Sequence, residues 1–267
     1  MKTLQELMRL DGRVALITGG AGHLGQAMAA ALAELGCGLC LVDQDAAGLE
    51  TAAAKLHATW PVPLWTRHAD LEDEAARRAL PAWVEASGGR LDILINNAAF
   101  VGTRGLVGWV TAFEQQSLDT WRRCLEVNLT AAFDLSQGLA PLLRASGQGA
   151  IVNVGSIYGV VGPDLGLYAG TAMGNPAAYA ASKGGLTQLT RWLATVLAPD
   201  IRVNCISPGG VYRQQPEAFV DRYLARTPLG RMAVEDDFKG AIAYLATGLS
   251  AYVTGQNLLV DGGWTAW

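Results

Sequence analysis

The feature that most limits how this chain can fold is an alternation. Short aliphatic and β-branched runs recur between longer stretches with helical periodicity. The runs are VALIT (14–18), LCLVD (39–43), VPLWTR (62–67), LDILIN (91–96), AIVNV (150–154), IRVNCIS (201–207) and QNLLV (256–260). Helical patterns fall between them near 23–35, 45–58, 72–86, 117–144, 176–198 and 235–247. Strands that are apolar on both faces need cover on both sides, and strands separated by helices are joined by right-handed crossovers, which makes the sheet parallel.

No Pro/Gly/Ser linker and no further internal repeat interrupts the alternation. Residues 1–267 therefore read as one α/β domain: a Rossmann-type, doubly wound, seven-stranded parallel sheet flanked by helices. With 51% hydrophobic and 16% charged residues the chain has ample material for a core. The net charge of -4, with basic residues scattered, argues against a nucleic-acid partner. The first ten residues, MKTLQELMRL, carry charges at Lys2, Glu6 and Arg9 and do not resemble a signal peptide. No apolar run is long enough to suggest a membrane span, so a cytoplasmic location is expected. Cys37 and Cys40 form a C-x-x-C, but they open a strand and have no companion pair or histidine; buried thiols are expected, and no metal site.

Three segments fit no regular element: 98–116, 157–175 and 208–232. Each follows the C-terminal end of a strand, where ligands bind in open α/β sheets. The first strand also runs directly into Thr18-Gly19-Gly20-Ala21-Gly22-His23-Leu24-Gly25 and then a helix. Gly19, Gly22, His23, Leu24 and Gly25 are placed where backbone amides and a helix N-terminus can meet a pyrophosphate. Asp43 ends the second strand, 24 residues after Gly19. A carboxylate there can accept from both hydroxyls of an adenosine ribose and repels an added phosphate. No Arg or Lys stands beside it, so NAD(H) is favoured over NADP(H). Asp70 and Leu71 follow the third strand and Asn97 and Ala98 the fourth, at the same sheet edge. Asp70 can also be read as a helix cap.

These residues, together with NNAA (96–99), Asn128, Ser156, Tyr179-x-x-x-Lys183, Pro208-Gly209 and VDGG (260–263), resemble the classical short-chain dehydrogenases/reductases over almost the whole chain. One departure is His23, which stands where the family pattern T-G-x-x-x-G-x-G has glycine. The resemblance implies oxidoreduction between a secondary alcohol and a ketone with a nicotinamide cofactor. Tyr179 and Lys183, four residues apart, share one helix face. A nearby ammonium and the positive nicotinamide ring favour the phenolate of a group whose ordinary pKa is about 10. Asn175 and Pro176 read as N-cap and first helical residue, which adds the helix dipole in the same sense. Ser156 is expected to hold the substrate oxygen while Tyr179 passes the proton; both Tyr179 and Lys183 are also expected to touch the cofactor. By resemblance, Asn128 helps hold a water next to Lys183.

The interval from Ser156 to Tyr179 is longer than the family's, and Tyr168 lies nearer the usual distance. Tyr168 has Ala172 rather than a lysine four residues on, and Gly166, Gly170 and Gly174 mark its surroundings as loop. Tyr179 is therefore the expected acid/base. The extra segment 163–176 is expected over the substrate, with Tyr168 and Thr171 offering hydroxyls. Pro208, Gly209 and Val211 are expected to close over nicotinamide; where the family usually has a threonine, Tyr212 and Arg213 stand, and Arg213 is a candidate for a polar or anionic substrate group. Loops 157–175 and 208–232 together would form the substrate site. Phe100, Trp109, Tyr212, Trp264 and Trp267 lie in loops or the tail, where full burial is not expected. YAGT…NPAAYAASK, SPGGVYRQQPEAF and DGGWTAW resemble a subgroup linked to bacterial surface-sugar and flagellin-modification pathways, which implies a small, sugar-derived substrate. The family resemblance also implies a homotetramer. A competing reading is a catalytically silent dinucleotide-binding regulator or scaffold, motivated by His23 and the missing threonine.

Overall fold

The apolar runs form seven strands in the computed structural model, which describes residues 1–102 and 106–267. In chain order the elements begin with α1 (Leu4–Met8), β1 (Val14–Thr18), α2 (His23–Glu34), β2 (Gly38–Asp43), α3 (Ala46–Thr59) and β3 (Leu64–His68). Then come α4 (Glu74–Arg78), α5 (Leu80–Gly88), β4 (Ile93–Asn96), α6 (Leu118–Leu125), α7 (Ala131–Ala145) and β5 (Gly149–Val154). The chain ends through α8 (Ala177–Val196), β6 (Ile201–Pro208), α9 (Glu217–Ala225), α10 (Lys239–Ala246) and β7 (Asn257–Val260).

All strands are parallel in one sheet of order β3-β2-β1-β4-β5-β6-β7. Strand direction of growth reverses between β1 and β4, the switch point at which such sheets open a crevice. Alternate side chains of each strand feed two cores. Ile17, Leu41, Ile95, Val152 and Ile206 pack on Met28 and Leu32 of α2 and Ile242 and Leu245 of α10. Leu16, Val42, Leu94, Ile151 and Val203 pack on Leu80 and Val84 of α5, Leu135 and Leu139 of α7 and Leu193 of α8. The central strands are buried, whereas edge strands β3 and β7 are partly exposed.

Several elements differ from the sequence expectation, each for a local reason. The helix expected over 72–86 is two, because Pro81 has no amide with which to continue the α4 ladder. The helix expected over 117–144 contains a π-helical turn at Glu126–Thr130. Buried Arg77 clamps that turn from α4, with Nη2 2.7 Å from Glu126 Oε1 and Nε 2.8 Å from Asp134 Oδ2. The 235–247 helix opens with a 3-10 turn at Glu235–Phe238. Segment 208–232 is not wholly irregular, since α9 lies within it. Helix α1 was not expected, although Thr3 and Glu6 form a capping box legible as T-x-x-E. Residues 103–105, inside the expected wall 98–116, lie outside the described residues. Among the described residues no helix is long and apolar enough to cross a membrane.

Candidate active site

At the end of β1 the main chain turns through Gly19 at φ +67, and a side chain there would lie 2.8 Å from Asn97 Nδ2. A Cβ on Gly25 would come within 2.0 Å of the Gly19 carbonyl oxygen. The loop is thus a cradle that any side chain would fill. Thr18 Oγ1 accepts from the Asn97 and Ala98 amides, both at 3.1 Å, and Asn97 Nδ2 donates to the Thr18 and Gly19 carbonyls at 3.0 and 3.1 Å. These bonds join the β4 end to the loop. Gly22 is the N-cap of α2 and supplies no side-chain cap, so the first-turn amides of His23, Leu24 and Gly25 open at the crevice. His23 is the first helical residue, so its backbone does not need glycine; its largely exposed imidazole lies with Nδ1 3.6 Å from Glu235 Oε1.

Asp43 Oδ2 accepts from the Ala21 amide at 2.9 Å and Oδ1 from the Asp45 amide at 3.0 Å. The carboxylate therefore also fastens the glycine loop. Asp70 accepts from the Glu72 amide at 2.9 Å, while Asp73, not Asp70, caps α4. Leu71 is buried beside it. The glycine cradle, the uncapped helix end and Asp43 at the neighbouring strand end fit a dinucleotide.

On the other side of the switch point, β5 delivers Ser156 and α8 delivers Tyr179 and Lys183. Pro176, rather than Asn175, is the α8 N-cap, and Tyr179 is the third helical residue. Ser156 Oγ accepts from the Tyr158 amide at 3.2 Å and faces the Tyr179 phenol. Lys183 Nζ is buried, 5.8 Å from the centre of the Tyr179 ring, and donates to the Val154 carbonyl at 2.7 Å. Asn128 lies in the π-helical turn, a device that recurs at functional sites. Its Oδ1 accepts from the Phe100 amide at 2.6 Å and its Nδ2 donates to Ser182 Oγ at 3.0 Å. The side chain thus braces the residue next to Lys183.

The 163–176 segment and α9 pack with the tail into a small aromatic lobe. Arg222 on α9 and Arg226, which caps its C-terminus, bond the Ala169 carbonyl and Asp164 Oδ2, each at 2.6 Å. Tyr168 meets Tyr158 hydroxyl to hydroxyl at 2.6 Å. Thr171 Oγ1 donates to the Tyr168 carbonyl at 2.8 Å, so it closes its own turn. Trp264, expected outside the core, is buried: it stacks on Tyr223 with ring centres 6.0 Å apart. Trp109 is buried too, edge-on to Phe100. Tyr212 and Trp267 are exposed. Gly209 donates to the Val260 carbonyl at 3.0 Å, and Val211 forms a bridge to Ala233, which pins the chain leaving Pro208. Arg213 Nη2 sits 2.8 Å from Glu235 Oε1, the same carboxylate oxygen that faces His23. Its charge is therefore committed toward the glycine loop. Sequence reasoning missed Tyr158 and Tyr223 as parts of the lobe; their only local signal is the aromatic character of segments taken as loops.

A family model described as enoyl-(acyl carrier protein) reductase matches residues 19–265. The chain belongs to the short-chain dehydrogenase/reductase family. It is 35% identical to galactitol 2-dehydrogenase (L-tagatose-forming) of Cereibacter sphaeroides, over 98% of each chain. Its fold superposes on a gluconate 5-dehydrogenase from Burkholderia cenocepacia J2315 in complex with NADP and tartrate (TM-score 0.86, 30% identity, 99% of this chain and 100% of that one). It also superposes on an NAD+-bound xylitol dehydrogenase (TM-score 0.84, 29% identity, 95% and 99%). This short-chain dehydrogenase/reductase is an oxidoreductase of alcohols that uses a nicotinamide dinucleotide.

Within it, electrostatics set the resting protonation. Burial pushes the Tyr179 phenol up, and the contact with Ser156 pulls it down. Burial lowers Lys183 to about 8, opposed by the Cys205 and Cys124 thiols. The Lys183 ammonium is turned to the Val154 carbonyl, and burial outweighs the pull of Ser156 on the Tyr179 phenol. Cys37 and Cys40 are buried free thiols, both pushed up by burial, Cys40 to about 12.

Proposed function

We propose that the chain is an NAD(H)-dependent dehydrogenase interconverting a secondary alcohol and a ketone on a small, sugar-derived substrate. The observation that carries this reading is the convergence of Ser156, Tyr179 and Lys183 beside the glycine cradle. Gly19, Gly22, Leu24, Gly25, Asp43, Asn97 and Ala98 would hold the dinucleotide, with Asp70, Leu71, Pro208, Gly209 and Val211 around its rim. When bound, NAD+ supplies a hydride acceptor and a positive ring. Ser156 Oγ orients the carbinol oxygen, and Tyr179 Oη takes its proton. Lys183 favours the phenolate electrostatically, and Asn128 keeps α8 in register through Ser182.

Support for NAD(H) comes from the chain's own residues, because the relatives include both cofactors. Asp43, with Asp45 two residues on, faces the place where an added phosphate would require a cation. The polyols in the names of the galactitol and xylitol enzymes support the sugar-derived substrate, as does the surface-sugar resemblance. Tyr168 and Thr171 belong to the substrate lobe in this reading; Arg213, paired with Glu235, would reach an anionic substrate group only by exchanging that partner. Exposed Phe133, Trp192 and Val196 on α7 and α8, with Leu259 on edge strand β7, support a homotetramer. The free thiols are compatible with a cytoplasmic enzyme.

The test follows nicotinamide absorbance with NAD+ or NADP+ and threitol, xylitol, galactitol and cyclohexanol. NAD+ is expected to be used on the order of a hundredfold better. Tyr179→Phe is expected to lower kcat about a thousandfold while NADH still binds. NADH binding without turnover of any alcohol would instead favour the silent regulator.

A further inference from the structure

Two residues depart from the family pattern, His23 in the glycine loop and Arg213 in the loop that leaves β6, and the fold brings both to one carboxylate. Glu235 Oε1 lies 2.8 Å from Arg213 Nη2 and 3.6 Å from His23 Nδ1. Glu235 opens the 3-10 turn ahead of α10, and Phe238 of that turn is buried in the core shared with α2. The carboxylate therefore stands on a rigid base beside the first turn of α2. Its neighbours are committed locally: Asp236 pairs with Lys239 at 3.0 Å and Asp237 with Arg231 at 2.6 Å. Among the described residues, Glu235 is the one of these three acids that grips separate segments of the chain.

Backbone bonds lay the loop from β6 along the stretch before Glu235. The Tyr212 amide donates to the Ala233 carbonyl and the Ala233 amide to the Gly210 carbonyl, both at 2.9 Å. Past Tyr212 the loop turns back on itself. Gln215 Oε1 accepts from the Arg213 amide at 2.7 Å, and Gln214 adopts φ +56, a left-handed conformation unfavourable for a residue with a Cβ. Such a bend keeps its place through outside contacts, and the Arg213–Glu235 pair supplies one. These side chains are 29% and 35% exposed, so solvent screens the pair less than a fully exposed one; His23 is 70% exposed and adds the weaker contact.

We infer that Glu235 is a positioning residue for the dinucleotide: through Arg213 it ties the loop after β6 to the first turn of α2, and so fixes the two walls between which the pyrophosphate and nicotinamide half would lie. The two departures belong together, since Arg213 needs Glu235 and His23 meets the same oxygen. Walls set before a ligand arrives lower the ordering cost of binding. A ligand that spans both walls gains from the tie, whereas one that occupies only the Asp43 side does not. This inference rests on the dinucleotide reading and adds the residue that holds the two sides of that site together.

The experiment measures the affinities of NADH, by fluorescence, and of AMP, by calorimetry, in the wild type, Glu235→Ala, Arg213→Thr and the double variant. AMP carries the adenosine half alone, so its binding also checks that each variant is folded. Each single variant is expected to weaken NADH about fivefold and AMP less than about twofold. The double variant is expected to be no weaker than the weaker single one, because the same tie is lost in all three. NADH affinity within about twofold of the wild type in both single variants would overturn the inference. So would a parallel loss of AMP affinity, which marks a general loosening of the fold, or losses that multiply in the double variant. A wild type that binds neither nucleotide overturns the dinucleotide reading, and this inference with it. Because no turnover is measured, NADH binding without oxidation of any alcohol would sink the dehydrogenase reading alone.

Discussion

The two ends of the crevice are built differently. The cofactor end is made of main chain and short side chains at adjacent strand ends: Thr18, Gly19, Asn97 and Asp43 bond one another's backbones within a few residues of β1, β2 and β4. The aromatic lobe gathers Tyr158, Tyr168, Phe219, Tyr223 and Trp264 from separate segments and joins them by ring packing and arginine contacts. The first leaves a gap that only backbone can line, suited to a ligand common to a whole family. The second carries its chemistry on side chains. In the proposed reading, cofactor binding and substrate choice therefore fall to separate parts of the molecule.

The largest expected effect breaks the cofactor end alone. Gly25→Ala places a methyl group against the Gly19 carbonyl, which main chain cannot yield to cheaply; NADH affinity, read by fluorescence titration, should fall on the order of a thousandfold. Lys183 lies where the ends meet. Its folded pKa of about 8 is below its ordinary 10.5. Between these values the unfolded chain binds more protons, so the contribution of Lys183 to stability is present above pH 10.5 and lost as pH falls through 8. Lys183→Met removes that dependence. The wild-type minus variant unfolding free energy, from urea denaturation, should rise by about 3 kcal/mol from pH 7 to 10.5.

A smaller effect tests the lobe. Arg226→Ala removes the contact over Trp264 and the pair with Asp164, and should cost about 1 kcal/mol, seen as a drop of a few degrees in Tm, while NADH affinity holds. If NADH affinity fell with it, the two ends would not be independent. The smallest change is expected from His23→Gly, which restores the family residue at a helical position whose side chain is mostly exposed. NADH affinity should move less than about threefold. A larger loss would make the imidazole part of the phosphate site.

Much of this arrangement is local enough to be read in one dimension. Strand runs, the glycine loop and the Tyr179-x-x-x-Lys183 spacing each depend on a periodicity or turn requirement spanning a few residues, and all appear in the structure as expected. Short-range breaks were less legible: the split at Pro81 and the π-helical turn around Asn128 depend on a competition between helical ladders and tertiary anchors such as Arg77.

What the amino-acid order determined by itself is therefore the sheet, its switch point and the identity of the groups at its edge, because backbone hydrogen bonding and side-chain period act between near neighbours. Only the tertiary structure decided where those groups point. Arg213 turns to Glu235, Lys183 to the Val154 carbonyl, and Trp264 from a tail where full burial was not expected into the packed aromatic lobe beside Tyr158. Those orientations follow from burial and from partners far along the chain, where the energy of a contact depends on the whole packed surface rather than on spacing.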